Sequence, residues 1–270
     1  MRWEDREESE NVDDRRRMRT AGVAISGTGA LIVIILALVF GVDPQQLLGP
    51  GGLGPPGAQQ GRQPGAPADD RPVDPEEEKL AHFAKVIFGD TERVWTRLFD
   101  EMGKEYEKPK LVLFSGQVES ACGLASAAVG PFYCGGDSNV YIDLAFYGDM
   151  QRKLHAPGEF ARAYVLAHEV GHHVQRLLGY SDLAAQGRFG RTQRDQKRSS
   201  VRIELQADFL AGVWAHHAQQ QFKFLEEGDL ESAINAAFQI GDDRLQKQAQ
   251  GYVVPDTFTH GTSEQRTRWF

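Results

Sequence analysis

One uncharged run, Ala21 to Val42, constrains this 270-residue chain more than any other feature. As a helix it would be about 33 Å long, enough to cross a hydrocarbon core of about 30 Å. Its centre, Leu31 to Phe40, is apolar on every face, whereas a helix on a soluble fold is amphipathic. The run therefore predicts a transmembrane helix over 21–42. A cleaved signal peptide fits less well, because its n-region would be long and acid-rich and no A-x-A site follows Phe40. Residues 1–20 carry six Arg and seven Asp or Glu, with Arg15, Arg16, Arg17 and Arg19 just before the run. The next twenty residues hold one basic residue, Arg62. The positive-inside rule then makes 1–20 a cytoplasmic tail and puts everything after Val42 outside the cytoplasmic membrane.

Residues 43–75 follow as a linker. Eight of the twelve prolines lie in 44–75 among Gly, Gln and Ala, a composition that cannot bury a core and suits a coil and polyproline II tether. The remaining residues, 76–270, form the folded domain. The net charge of -8 divides into -1 for 1–20, -2 for 21–75 and therefore -5 for 76–270. An acidic chain with pI near 5.5 lacks the basic face that nucleic-acid binding needs.

Within the domain, residues 76–88 read as a helix broken by Gly89, with Asp90 capping a second helix. Residues 110–115 and 139–144 read as short strands. Helices follow at about 158–178, 199–225 and 230–249. The class is α+β, a small sheet followed by mainly helices. Cys122 and Cys134 face an oxidising space if the topology holds, and a disulfide there would contribute roughly 3 kcal/mol by closing a loop of about thirteen residues. Two buried thiols are the alternative.

The chemistry sits at 167–173, Ala-His-Glu-Val-Gly-His-His. His168 and His172 are one helical turn apart on one face, where two imidazoles can hold one metal ion. Glu169 stands beside them as the base for a metal-activated water, the H-E-x-x-H arrangement of zinc hydrolases. A catalytic zinc usually takes a third protein ligand. Glu204 and Asp208, four apart on a predicted helix, are the candidates, one as ligand and the other fixing an imidazole tautomer. His216 and His217 lie about 18 Å further along that helix and are read as packing or surface residues. His173 points away from His172 and is read as structural.

His-Glu-x-Gly-His followed by Glu-x-x-Ala-Asp resembles the gluzincin zinc peptidases. Together, the blocks 120–134, 140–146, 166–175, 200–217 and 258–270 look like the bacterial neutral zinc metallopeptidase family. The resemblance implies a zincin-like fold, zinc as cofactor and a membrane-anchored extracytoplasmic peptidase. It implies His168, His172 and Glu204 as ligands, Glu169 as general base, Asp208 as the carboxylate behind a ligand, and a disulfide between Cys122 and Cys134.

Hydrolysis also needs a donor for the developing oxyanion. His260, in a loop near the C-terminus, is the candidate, with Arg266 orienting the segment. The 139–144 strand is either an edge for pairing an extended protein or peptide substrate or a buried strand of the sheet. The competing reading is a catalytically silent, zinc-stabilised scaffold domain of the cell envelope, which would want four protein ligands where the sequence offers three good ones.

Overall fold

The computed structural model describes residues 1–17, 74–126, 129–181, 183 and 192–270. The expected span 21–42, nearly all of the linker and part of the basic 181–200 segment lie outside the described residues. Among the described residues no helix is long and apolar enough to cross a membrane.

The first helix, α1 (Pro75–Glu101), starts on a strong N-terminal signal. Asp74 accepts from the Glu76 N–H, Pro75 opens the helix, and Glu76, Glu77 and Glu78 face its positive end. The break expected at Gly89 does not occur, and Asp90 caps nothing. Asp90 is instead fully buried, with Arg6 and Arg93 each 2.8 Å from its carboxylate. Gly89 serves a close approach. A Cβ there would sit 3.1 Å from the Ser9 nitrogen and 3.2 Å from the Glu7 carbonyl oxygen.

That approach comes from the N-terminal segment, which is part of the fold rather than a separate tail. Strand β1 (Val12–Asp14) pairs in parallel with β2 (Lys110–Phe114), Val12 opposite Leu111. Trp3, 2% exposed, packs edge-on against Phe83 with ring centroids 5.1 Å apart. Three polar-flanked residues with no alternation gave no sign of a strand, because β1 borrows its order from β2.

The chain then forms a hairpin, β3 (Gln117–Ser120) and β4 (Gly123–Ser126), followed by β5 (Phe132–Cys134) and β6 (Asn139–Asp143). The main sheet has the order β1-β2-β6-β5, with β5 antiparallel to β6 and the other pairs parallel. Of its two readings, edge or buried, the 139–144 strand takes the second: β6 is internal, and β1 and β5 are the edges. Cys122 and Cys134 are disulfide-bonded, tying the hairpin turn to the end of β5.

Helices complete the domain: α2 (Ala145–Arg152), α3 (Glu159–Leu177), α4 (Gln193–Phe222), α5 (Asp229–Gln239), α6 (Asp242–Gln250) and α7 (Ser263–Trp269). Helix α4 begins earlier than expected, where Thr192 caps the Asp195 N–H. The helix expected over 230–249 is two, α5 and α6, parted at Gly241. The backbone of Ser263 crosses there so closely that a Cβ would sit 2.3 Å from its nitrogen. Helix α3 runs through the core. Phe160, Ala163, Tyr164, Ala167, Val170 and Val174 are buried on it, and Phe160 stacks on Trp214 of α4.

Candidate metal centre

The site is made where α3 and α4 touch. Gly171 and Ala207 form the contact, and a Cβ on Gly171 would lie 3.0 Å from the Ala207 carbonyl oxygen. Small residues on both helices let the backbones close up, and one turn to either side the longer side chains meet. His168 and His172 come from α3, Glu204 and Asp208 from α4.

The ligand atoms of His168, His172 and Glu204 all lie within 4.8 Å of one another. Glu204 Oε2 is 3.2 Å from His168 Nε2 and 3.6 Å from His172 Nε2. A tetrahedron with metal–ligand distances of about 2.1 Å has edges of about 3.4 Å, so the spacing fits a single small cation. Two imidazoles and one carboxylate are also the donor chemistry that zinc takes.

Each imidazole is fixed from behind. His168 Nδ1 donates to Asp208 Oδ1 at 2.8 Å, which turns Nε2 toward Glu204. His172 Nδ1 donates to Gln175 Oε1 at 2.9 Å, and the Gln175 amide donates in turn to the Ile203 carbonyl at 2.7 Å. Gln175 is fully buried, and the sequence reading did not single it out. Its spacing of three from His172 was the available signal.

Asp208 is the most heavily bonded carboxylate of the site. Besides His168, it accepts from the Tyr164 hydroxyl at 2.6 Å and from Arg266 Nε and Nη2 at 2.9 and 2.8 Å. Burial would push its carboxyl up, but the charges and hydrogen bonds of Arg266 and His168 outweigh it and hold Asp208 well below the carboxylate range. Burial likewise opposes the charge on Glu204, and His172 and His168 bring it down. Burial lowers His168, yet Asp208 and Glu204 push it up to about 10. The pocket thus attracts positive charge at His168 Nε2.

Glu169 is buried next to this group, and burial raises its carboxyl above the ordinary value despite the neighbouring His168 and His172. The backbone amide of Tyr133, in the edge strand β5, faces this carboxylate. His173 points away as expected. Its Nε2 donates to the Glu107 carbonyl at 2.6 Å, and its Nδ1 accepts from the Tyr133 hydroxyl at 3.0 Å. It ties β5 to α3. His216 and His217 are apart from the centre, bordering a groove with Phe209 and Trp269.

His260 lies in the loop before α7. Its ring Nδ1 is 3.1 Å from Asp242 Oδ1, and the N–H groups of Thr259, His260 and Gly261 all converge on Asp242 Oδ2. Burial lowers the His260 ring, but Asp242 and the charge of Glu204 raise it above its ordinary value. Asp242, its partner, had no sequence signal beyond lying in the first turn of a helix.

Residues 1–270 match the model of a family described as "Putative neutral zinc metallopeptidase". The uncharacterized protein YpfJ of Escherichia coli K12 is 50% identical across the whole chain, which covers 93% of that relative. The uncharacterized proteins Mb2605 of Mycobacterium bovis and Rv2575 of Mycobacterium tuberculosis H37Rv are 44% identical over 61% of this chain and 58% of their own length. No solved structure matches. With the match running from the first residue to the last, and its histidine pair and glutamate converging as described, the chain belongs to this neutral zinc metallopeptidase family.

Proposed function

We propose that this protein is a zinc-dependent peptidase that hydrolyses peptide bonds outside the cytoplasmic membrane. The observation that carries this reading is the convergence of His168, His172 and Glu204 with Glu169 buried beside them. A structural zinc site is closed by four protein ligands, whereas among the described residues this group offers three. Bound there, zinc would act as a Lewis acid and bring the pKa of water toward neutrality.

The protein's own groups account for the rest. Glu169, buried beside the ligand imidazoles, is placed to accept a proton from the attacking water and to pass it to the leaving amine nitrogen. Asp208 and Gln175 keep the two imidazoles in the tautomers that present Nε2. An extended peptide pairs along the free edge of β5, which brings its carbonyl past Glu169. His260, held through its ring Nδ1 by Asp242, donates to the oxygen on which negative charge develops. The run 21–42 supplies the membrane attachment, and the bonded Cys122–Cys134 pair supports an oxidising compartment.

The test is paired. Zinc content and cleavage of a broad peptide library are measured for the full chain and for Glu169→Gln. Glu169→Gln should keep its zinc and lose about 10²- to 10⁴-fold in cleavage rate. Equal cleavage by both would remove Glu169 from this role. A zinc-loaded wild type that cleaves nothing would favour a silent scaffold domain.

A further inference from the structure

The edge strand beside the metal centre is held from outside the main core. Strand β5 is three residues long and, among the described residues, pairs on one side only, with β6. Its middle residue, Tyr133, turns its backbone amide toward Glu169 and bonds its hydroxyl to His173 at 3.0 Å. Its last residue, Cys134, is bonded to Cys122 in the turn of the β3–β4 hairpin. That hairpin is a two-stranded sheet of its own and, among the described residues, pairs with no strand of the main sheet. Its side chains Val118 and Ala125 pack with Val112, Phe114, Cys134 and Tyr141 in a cluster apart from the larger core. A satellite with so few buried apolar contacts opens more readily than the core it flanks. The hairpin turn also meets the segment after β5 through the Ala121 N–H, which donates to Asp137 at 2.9 Å, and through Ala121 against Gly136. The disulfide is the covalent member of this seam.

The two cysteines differ in access. Cys122 is exposed and Cys134 is 0% exposed, so a reductant reaches the bond from the hairpin turn. We propose that the Cys122–Cys134 disulfide is a redox switch on peptide binding at the metal centre. With the bond formed, β5 is fixed as the edge along which a peptide pairs. With it reduced, hairpin and β5 loosen together and that edge is lost, while α3 and α4, packed in the larger core, keep His168, His172 and Glu204 in place. The proposal rests on the reading of β5 as the substrate edge.

The reductant is a dithiol. One of its thiolates attacks the Cys122 sulfur, the S–S bond breaks, and Cys134 leaves as a thiolate that takes a proton. The second thiol attacks the mixed disulfide and frees Cys122 as a thiol. The dithiol ends as a disulfide, and its two electrons and two protons end on the cysteine pair. A chain that has not met an oxidising environment is then quiet, and oxidation outside the cytoplasm switches it on.

The test compares the zinc-loaded full chain oxidised, reduced with a water-soluble phosphine, and reoxidised with glutathione disulfide, alongside the double variant Cys122→Ser/Cys134→Ala. Three quantities are read: KM and kcat on a broad peptide library, zinc affinity against a chromophoric chelator, and hydrogen exchange of the peptide covering 129–136. Reduction and the double variant should each raise KM about tenfold or more while kcat changes by less than about threefold. Exchange over 129–136 should speed up about tenfold or more, with α3 and the zinc affinity unchanged. Reoxidation should restore the wild type and leave the double variant as it was. Equal KM and equal exchange in the oxidised and reduced states would overturn the switch. Loss of zinc together with the edge would also overturn it, making the bond a general staple of the fold. An oxidised wild type that cleaves nothing would count against the peptidase reading, and exchange over 129–136 would still decide whether the disulfide controls the edge.

Discussion

The two ends of the chain do the same physical thing at different places. Near the N-terminus Arg6 reaches into α1 and pairs with Asp90; near the C-terminus Arg266 reaches into α4 and pairs with Asp208. Both aspartates are 0% exposed. Burial works against the charge on each, yet the outcomes are opposite: Asp90 is raised above the ordinary carboxylate value and Asp208 is held below it. The difference lies in the donors. Asp90 has two guanidinium groups, Arg6 and Arg93, and neither pairing is bidentate. Asp208 has both arms of Arg266, the His168 ring and the Tyr164 hydroxyl. A buried carboxylate keeps its charge when its lone pairs are filled, not merely when a cation is near. The C-terminal pair also backs a metal-site imidazole, whereas the N-terminal pair holds scaffold to scaffold.

Arg266→Met should show the largest effect. It leaves Asp208 buried with two of its four hydrogen bonds and its cationic partner gone, at a cost of about 3–5 kcal/mol. The His168 tautomer would lose its support, and zinc affinity should fall about 10- to 100-fold. Urea unfolding of the chelated protein reads the first effect and competition with a chromophoric chelator reads the second. A variant that kept full zinc affinity would break the comparison, making the C-terminal arginine as purely structural as the N-terminal one.

Arg6→Met should cost less, about 1–3 kcal/mol, because it removes an ion pair while Arg93 remains hydrogen-bonded to Asp90. Zinc affinity should be unchanged. The same two assays test it, and a loss of zinc binding here would show that the N-terminal seam and the centre are coupled.

Acid should separate the two pairs by order. The folded pKa of Asp208 is depressed, so its stabilisation is present above about 3.9 and is lost as pH falls through the folded value. The folded pKa of Asp90 is raised, so its charge opposes folding above that value, and this cost disappears as the group takes its proton. On acidification Asp90 should therefore protonate first, above the ordinary carboxylate value, and Asp208 last. Carboxyl carbon chemical shifts in the chelated protein would show the order, and the reverse order would refute the donor argument.

The contrast also explains what the sequence could reveal. His168, Glu169 and His172 were legible because their chemistry and helical spacing are written in five consecutive residues, and Glu204 with Asp208 repeated the spacing of four. Helix α3 was legible from its apolar stripe. The strand at 139–143 was found but its place in the sheet was not, since position depends on partners far along the chain. Gln175 and Asp242 act through hydrogen bonds to partners far along the chain and have no periodic signature. The N-terminal segment was the furthest from legible. Its burial rests on isolated side chains, Trp3 and Arg16, inside a highly charged stretch, and its one strand has no pattern of its own. Gly89 was read as a breaker because local propensity disfavours glycine in a helix, and only the crossing backbone shows why it is there.

Gly89→Ala is the smallest and sharpest test of that seam. In an ordinary helix interior the change would stabilise by about 1 kcal/mol. Here the new methyl would press on the Ser9 nitrogen at 3.1 Å and the Glu7 carbonyl at 3.2 Å, both backbone atoms with little room to yield, and would touch Arg93 Nη1 at 3.4 Å. The gain should vanish or turn into a loss of about 1 kcal/mol, of the order that overpacking costs. The sign alone is informative, but the pair of changes is more so. Gly89→Ala and Arg6→Met both loosen residues 6–9 from α1, so their costs should sum to more than the double variant shows, by about 0.5 kcal/mol or more in a double-mutant cycle. Gly89→Ala combined with Arg266→Met should be additive, because that pair lies in a different part of the fold. Additivity in the first pair would mean that the N-terminal segment does not rest on Gly89 in solution.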